Sequence, residues 1–378
     1  MTQNEMMRGP AGGRLSEAAR EQAQQQLLDP QGPAANVIGF GLGVKWTDGR
    51  PTGQPAMLVF VTSKIPEAGL SRRDVVPGRL DDGTLTDVVA IGHVAAQQRV
   101  LSPPDMEVFV RVPDTVLERR PTELPPERPA PMEAEPQLLA RRMRPCPAGF
   151  SIGNVAITAG TLGSVVYDFL PGATTDPPAP GLGAPPRYYV LSNNHVLAAS
   201  NAAPIGSSIV QPGPFDGGVD PRDRVATLSR FIPIQFAPQV PLDRHNNVVD
   251  AAIGQCEFSD ATREVYFNGP PRAWRRKANV AVGDRVRKVG RTTNATYGRI
   301  ISVDATVDVN YGSAGVARFH DQIITTAMSA GGDSGSLVTS YDNVAIGLLF
   351  AGSSQATILN HIETVRSLLR VEIAELLA

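Results

Sequence analysis

Cysteine is nearly absent from this chain, with Cys146 and Cys256 the only two in 378 residues. So sparse and widely separated a pair argues against a disulfide framework, and without a Cys/His spacing pattern no structural zinc is expected. Both are read as free thiols. Long apolar runs are missing too. The opening MTQNEMMRGP has no apolar core of signal-peptide length, and no later stretch approaches a membrane span. A cytoplasmic protein with no membrane partner is expected. Nor does charge of one sign dominate: the formal net charge is -2, which leaves no basic field to hold nucleic acid. The densest basic stretch of the second half, RVRKVGR from Arg285 to Arg291, alternates with valines and reads as an exposed strand face. No cofactor is expected.

What the chain has instead is a mosaic of short β-type runs punctuated by glycine and proline. Residues 1–30 contain SEAAREQAQQQLL, a run of helix formers that starts at Ser16 and stops before Pro30. Residues 31–112 carry NVIGFGLGVKW, PAMLVFVTSKI and TDVVAIGHVAA, separated by turn clusters, and are expected to form a small β-rich domain. His93, in the third run, is assigned a packing or surface role. Residues 113–147 are dense in proline and mixed charge and read as a linker that includes Arg141, Arg142 and Arg144. From residue 148 to 378 short strands recur, as in antiparallel barrels. At the end, Asn360 is expected to cap a helix with Ile362, Val365, Leu368 and Leu369 on one face.

Two strings in this last part carry chemistry. GGDSGSL sets Ser334 between Asp333 and Gly335, and LSNNHV supplies His195 upstream. A hydroxyl is a weak nucleophile that needs a base for its proton and donors for the oxyanion formed on attack. Gly332, Asp333 and Ser334 suit a tight turn whose N–H groups converge on one point. A third string, VVDAAIG, holds Asp250 between apolar residues. An acid so placed is expected to be buried and to need a partner, for which His195 is the natural choice. Asp216, Asp223, Asp243 and Asp284 lie in polar or turn-like contexts and read as loop or surface groups. The order histidine, aspartate, serine points to acyl transfer.

With these three strings in this order, the segment from about Ser151 to Ala378 resembles a chymotrypsin-like (trypsin-type) serine peptidase domain. It is of the kind found in bacterial trypsin-like proteins and plant NARROW LEAF-type proteins. LSNNHVLA keeps the logic of the histidine box with asparagines in place of alanines, and Ser336 replaces the last glycine of the serine box. TAGTLGSVV, QPGPFDGG, VGRTT and GLLFAGS add to the likeness, and NVIGFGLGVKW extends it upstream. The resemblance implies a mainly β fold of two antiparallel β-barrels with a C-terminal helix, preceded by the small β-rich domain. It assigns His195, Asp250 and Ser334 as a triad and the N–H groups of Gly332 and Ser334 as the oxyanion hole. Phe350, Ala351 and Gly352 would bind substrate backbone, and Met328 would lie at the base of the specificity pocket. No carboxylate is at that position, so a small or apolar residue is expected before the scissile bond.

Asp333 precedes the nucleophile, where relatives use a new N-terminus to satisfy the acid. Either an internal cation or backbone donor does so here, or cleavage does, with Ile152 in SIGN as the faint candidate end. The expected function is an intracellular serine endopeptidase acting on a specific protein target. A second copy of the chain or an activating protein stands as a further partner. The other readings are a catalytically weak scaffold or peptide-binding module, and an esterase using the same residues.

Overall fold

A computed structural model of the chain describes residues 17–28, 36–47, 50–71, 74–96 and 137–374. The N-terminal part contributes α1 (Glu17–Leu27), β1 (Val37–Thr47), β2 (Arg50–Val61), β3 (Thr86–Ala90) and the two-residue β4 (Ala95–Ala96). The helix expected around residues 16–28 is therefore present. Its Ala23 and Leu27, with Leu28, pack on Phe40, Met57 and Val59 of the first two strands.

The next group is β5 (Cys146–Ala148), β6 (Ser151–Asn154), β7 (Gly160–Thr161), β8 (Ser164–Asp168), β9 (Thr174–Thr175), β10 (Pro178–Ala179) and β11 (Tyr188–Ser192). It continues through the single-turn α2 (Asn194–Leu197), β12 (Ser208–Val210), β13 (Arg224–Phe231), β14 (Ala252–Cys256) and β15 (Ala261–Val265). After these come β16 (Ala273–Trp274), β17 (Arg285–Gly290), β18 (Asn294–Asn310), β19 (Val316–Thr326), β20 (Leu337–Thr339), β21 (Val344–Gly352), β22 (Ala356–His361), α3 (Ile362–Leu369) and β23 (Val371–Glu372). The fold is mainly β.

Two antiparallel barrels result. The first curls in the order β23-β8-β11-β14-β13-β12-β6-β7; the second runs β17-β20-β21-β22-β19-β18 and is closed by pairing of β18 back onto β17. Strands such as VAIGLLFAG of β21 are apolar throughout, and every one of those residues is buried, as expected of a strand covered on both faces. The 17-residue β18 is bent: Asp304 has a positive φ of 50°, and register shifts against both β1 and β19 surround it. Such bulges turn a strand. One half of β18 thus pairs with β17 and the other with β1.

Through that second pairing β1, β2 and β3 continue the sheet of the second barrel, in the order β18-β1-β2-β3. The string GFGLG explains the close fit. A Cβ at Gly39, Gly41 or Gly43, alternate positions of one strand face, would come within 2.4 Å of Thr306 O, 2.4 Å of Ser302 Oγ or 2.3 Å of Leu58 Cδ1. His93 is exposed, between β3 and β4.

Of the expected linker, residues 113–136 lie outside the described residues. Its last part is docked on the first barrel. Leu139 and Cys146 are buried, Arg142 pairs with Asp223, and Arg144 donates to the Asp223 carbonyl. Asp223 is consequently buried, not a surface group, and Asp216 forms a near-buried ion pair with Arg291. Both thiols are free and buried, and burial raises both above the ordinary thiol range.

The C-terminal helix also differs in detail from expectation. His361 is its N-cap, Asn360 belongs to β22, and Leu368 is exposed while Ile362, Val365 and Leu369 face the core. Among the described residues no helix is long and apolar enough to cross a membrane.

Candidate active site

β11 ends at Ser192, and the single turn of α2 that follows presents His195 at the barrel end. Asp250 lies two residues before β14, the neighbour of β11. The two side chains meet: His195 Nδ1 and Asp250 Oδ2 are 2.5 Å apart, and the His195 backbone N–H donates to Oδ1 at 3.2 Å. Both residues are fully buried. A carboxylate partner assigns the proton to Nδ1 and leaves Nε2 as the nitrogen able to accept one.

The asparagines of the histidine box have structural work. Asn193 Nδ2 donates to the Asp250 carbonyl at 2.7 Å, while Asn194 Nδ2 reaches Asn201 Oδ1 at 2.7 Å and the Ile232 carbonyl at 2.8 Å. Asn360, expected as a helix cap, accepts from the Asp250 N–H at 3.0 Å.

A residue not anticipated from sequence completes the acid's surroundings. The Tyr311 hydroxyl donates to Asp250 Oδ2 at 2.8 Å, and its ring stands edge-on to the imidazole, centroids 5.8 Å apart. Burial, and then the adjacent carboxylate, hold this phenol well above the ordinary tyrosine range. It is therefore a fixed donor.

Ser334 sits on the turn before β20. Gly332 and Gly335 have φ of +99° and +95°. A Cβ at Gly335 would come within 2.0 Å of Ser192 Oγ and 2.2 Å of the Thr161 carbonyl. Glycine is required there by space as well as by φ. Thr161 of the first barrel clamps the turn: its N–H donates to Ser334 O at 2.7 Å and its hydroxyl to Gly332 O at 2.8 Å. Its own carbonyl accepts from Ser192 Oγ at 2.8 Å. One residue thus ties the serine turn to the strand end that leads into His195.

The Ser334 hydroxyl, nearly buried, donates to the Phe350 carbonyl at 3.4 Å. Among the described residues, the N–H groups of Gly332 and Ser334 have no backbone acceptor.

Asp333 is satisfied from within. Its carboxylate accepts from Lys288 Nζ at 3.0 Å, Thr293 Oγ1 at 2.6 Å, and the N–H groups of Thr292, Thr293 and Ala330 at 2.9, 3.1 and 3.0 Å. Lys288 and Asp333 are both fully buried. Burial pulls the Lys288 ammonium below the ordinary lysine range, and the Asp333 charge opposes that. The basic run is thus not simply an exposed face: Val286, Lys288, Val289 and Gly290 are buried, while Arg285 is exposed. Ile152 is buried within β6 and takes no part.

The expected substrate residues divide. Met328 is buried in the apolar cluster of the second barrel, with Ile300, Ile323 and Leu349, and its N–H donates to Thr357 Oγ1 at 3.1 Å. Phe350, Ala351 and Gly352 end β21 beside Ser334, and Ala351 and Gly352 are paired with Ala96 and Ala95 of β4.

No family model matches the chain. Over 69 residues, 18% of this chain and 34% of the other, it is 42% identical to glutamyl endopeptidase 2 of Streptomyces griseus. The match therefore spans about a third of that relative's length. Among solved structures, protease A of Thermobifida fusca overlays with a TM-score of 0.40 at 16% identity, covering 60% of this chain and 97% of that one. The chymotrypsin of Cellulomonas bogoriensis gives 0.39 at 15% identity with coverage of 60% and 97%. A glutamic acid-specific serine protease described as using a histidine triad in substrate binding gives 0.39 at 19%, with 60% and 99% covered. In the order of its three boxes and in its pair of antiparallel β-barrels, the chain resembles the chymotrypsin-like serine peptidases.

Proposed function

We propose that the chain is a serine endopeptidase acting through His195, Asp250 and Ser334. The observation that carries this reading is the buried His195–Asp250 contact of 2.5 Å next to a serine turn that Thr161 ties to the same strand end. In the proposed reaction Ser334 Oγ attacks a peptide carbonyl carbon as its proton passes to His195 Nε2. The tetrahedral oxyanion is held by the N–H groups of Gly332 and Ser334. Collapse breaks the C–N bond, the imidazolium returns the proton to the leaving amine, and water repeats the sequence on the acyl-enzyme. Asp250 keeps the imidazole in its tautomer and stays ionised.

Because Lys288 supplies the cation for Asp333, the serine turn needs no cleavage to take its shape. The enzyme is proposed to work uncleaved, inside the cell, on a specific protein. A small or apolar residue before the scissile bond is proposed from the apolar cluster in which Met328 is buried. A peptide-library profile dominated by arginine or glutamate overturns that specificity.

The test of the activity is labelling by a fluorophosphonate, which reacts only with an activated serine. Labelling of the parent protein and not of Ser334→Ala, together with cleavage of a peptide substrate, supports the endopeptidase. Labelling without peptide cleavage identifies an esterase; no labelling identifies a peptide-binding scaffold.

A further inference from the structure

β4 is two residues long and yet is held by two strands. In antiparallel register Ala96 faces Ala351 and Ala95 faces Gly352 on β21, and Ala95 also pairs with Asn310 at the end of β18. The Asn310 N–H donates to the Val94 carbonyl at 3.1 Å. Just upstream, the Ser353 hydroxyl donates to the Ile91 carbonyl, and the Val94 side chain is buried among Phe350, Phe319 and Tyr311. Residues 91–96 therefore run alongside residues 350–353 as an added strand.

The location of that strand gives it meaning. β22 occupies the other side of β21 at the same residues, with Ala351 facing Ile358 and Gly352 facing Thr357. The side taken by β4 is the one left, and it begins one residue from Phe350, whose carbonyl accepts the Ser334 hydroxyl. A peptide lends its backbone to an open sheet side and its side chains to the pockets beside it. An extended peptide delivering a carbonyl to Ser334 would use the backbone groups that β4 now uses. Consistent with a covered site, His195 and Ser334 are both buried.

We infer that Val94–Ala96 of this same chain is the resident occupant of the Ala351–Gly352 side of β21, the side expected to take substrate backbone, and that an extended peptide must displace it. The preferred ligand has small side chains at the two paired residues, since half-buried alanines fill those places. The catalytic consequence rests on the peptidase reading of Ser334; the binding consequence does not. When the competent state is only a fraction of the population, apparent affinity falls by that fraction, so loosening β4 strengthens peptide binding.

The experiment uses the full chain carrying Ser334→Ala, which prevents turnover, and fluorescein-labelled tetra-alanine amide as the probe, read by fluorescence anisotropy. Ala96→Pro removes an N–H and restricts the strand; it is expected to tighten probe binding about tenfold or more. Ser353→Ala, which removes the bond to Ile91 together with the acceptor of the Gln355 and Ala356 N–H groups, is expected to tighten it by a smaller factor and decides the matter if the proline variant fails to fold. Unchanged affinity in the folded variants, or no binding to any of them, overturns the inference. Fluorophosphonate labelling of the same variants with Ser334 restored separates the two claims. Tighter binding without labelling removes the peptidase reading alone, and labelling without tighter binding removes this one alone.

Discussion

Replacing Lys288 by methionine deletes the cation from a carboxylate that has no contact with solvent. Breaking a buried ion pair by removing one partner costs about 3–5 kcal/mol, because the charge left behind is uncompensated. Asp333 keeps the Thr293 hydroxyl and the N–H groups of Thr292, Thr293 and Ala330, so the loss is expected at the lower end, about 3 kcal/mol. A domain with a stability of about 5–15 kcal/mol survives such a loss. Urea unfolding followed by tryptophan fluorescence measures it, with an unchanged dependence on denaturant as the check that the same transition is observed. Adding Asp333→Asn removes the stranded charge, so the double variant is expected to recover much of the loss, and the non-additivity measures the coupling. Fluorophosphonate labelling is expected to slow in Lys288→Met, because the turn carrying Gly332 and Ser334 is anchored through Asp333. A cost below about 1 kcal/mol, the size of an exposed pair, or a double variant whose loss is the sum of the two singles, refutes the argument.

Three further outcomes are expected. Tyr311→Phe removes one hydrogen bond to a buried carboxylate and should cost about 1.5–3 kcal/mol with slower labelling of Ser334; parent-like stability and labelling would count against a role for the phenol. His320, held neutral mainly by burial, has its pKa lowered from 6.5 to about 4. Its contribution is complete above pH 6.5 and is lost as pH falls toward 4, because the unfolded chain takes up a proton that the folded one refuses. The span corresponds to about 3 kcal/mol, and His320→Gln should flatten that part of the stability–pH curve; a parent curve level between pH 7 and 5 contradicts it. Gly335→Ala would drive a Cβ into Ser192 Oγ and the Thr161 carbonyl, so loss of labelling together with a lowered melting temperature is expected, and retention of both overturns the spatial requirement.

Local patterns revealed the helix at residues 17–27, the glycines of the serine turn and the burial of Asp250, because each depends on a few adjacent residues. The inward face of RVRKVG was also available: strand alternation puts Lys288 on the side of Val286, and charge alone suggested the opposite. Tyr311 could not be found in this way. It meets Asp250 across a sequence separation of 61, and nothing in the sequence around it marks a partner. The same holds for the pairing of β1 with β18, since antiparallel register between remote strands is set by tertiary packing rather than by either string. Asn360 had the residue type of a helix cap, but strand pairing of residues 356–361 with β19 and β21 placed it one residue too early and gave its amide to Asp250.

β18 belongs at once to the closed barrel and to the extension that β1, β2 and β3 add to its sheet. Stripping away β1 would bare a row of backbone donors and acceptors around residues 303–307, the type of surface on which chains stack into aggregates. A shortened form beginning at the first barrel would thus carry a sticky flank, and its poor solubility would say nothing about whether the catalytic machinery itself can fold.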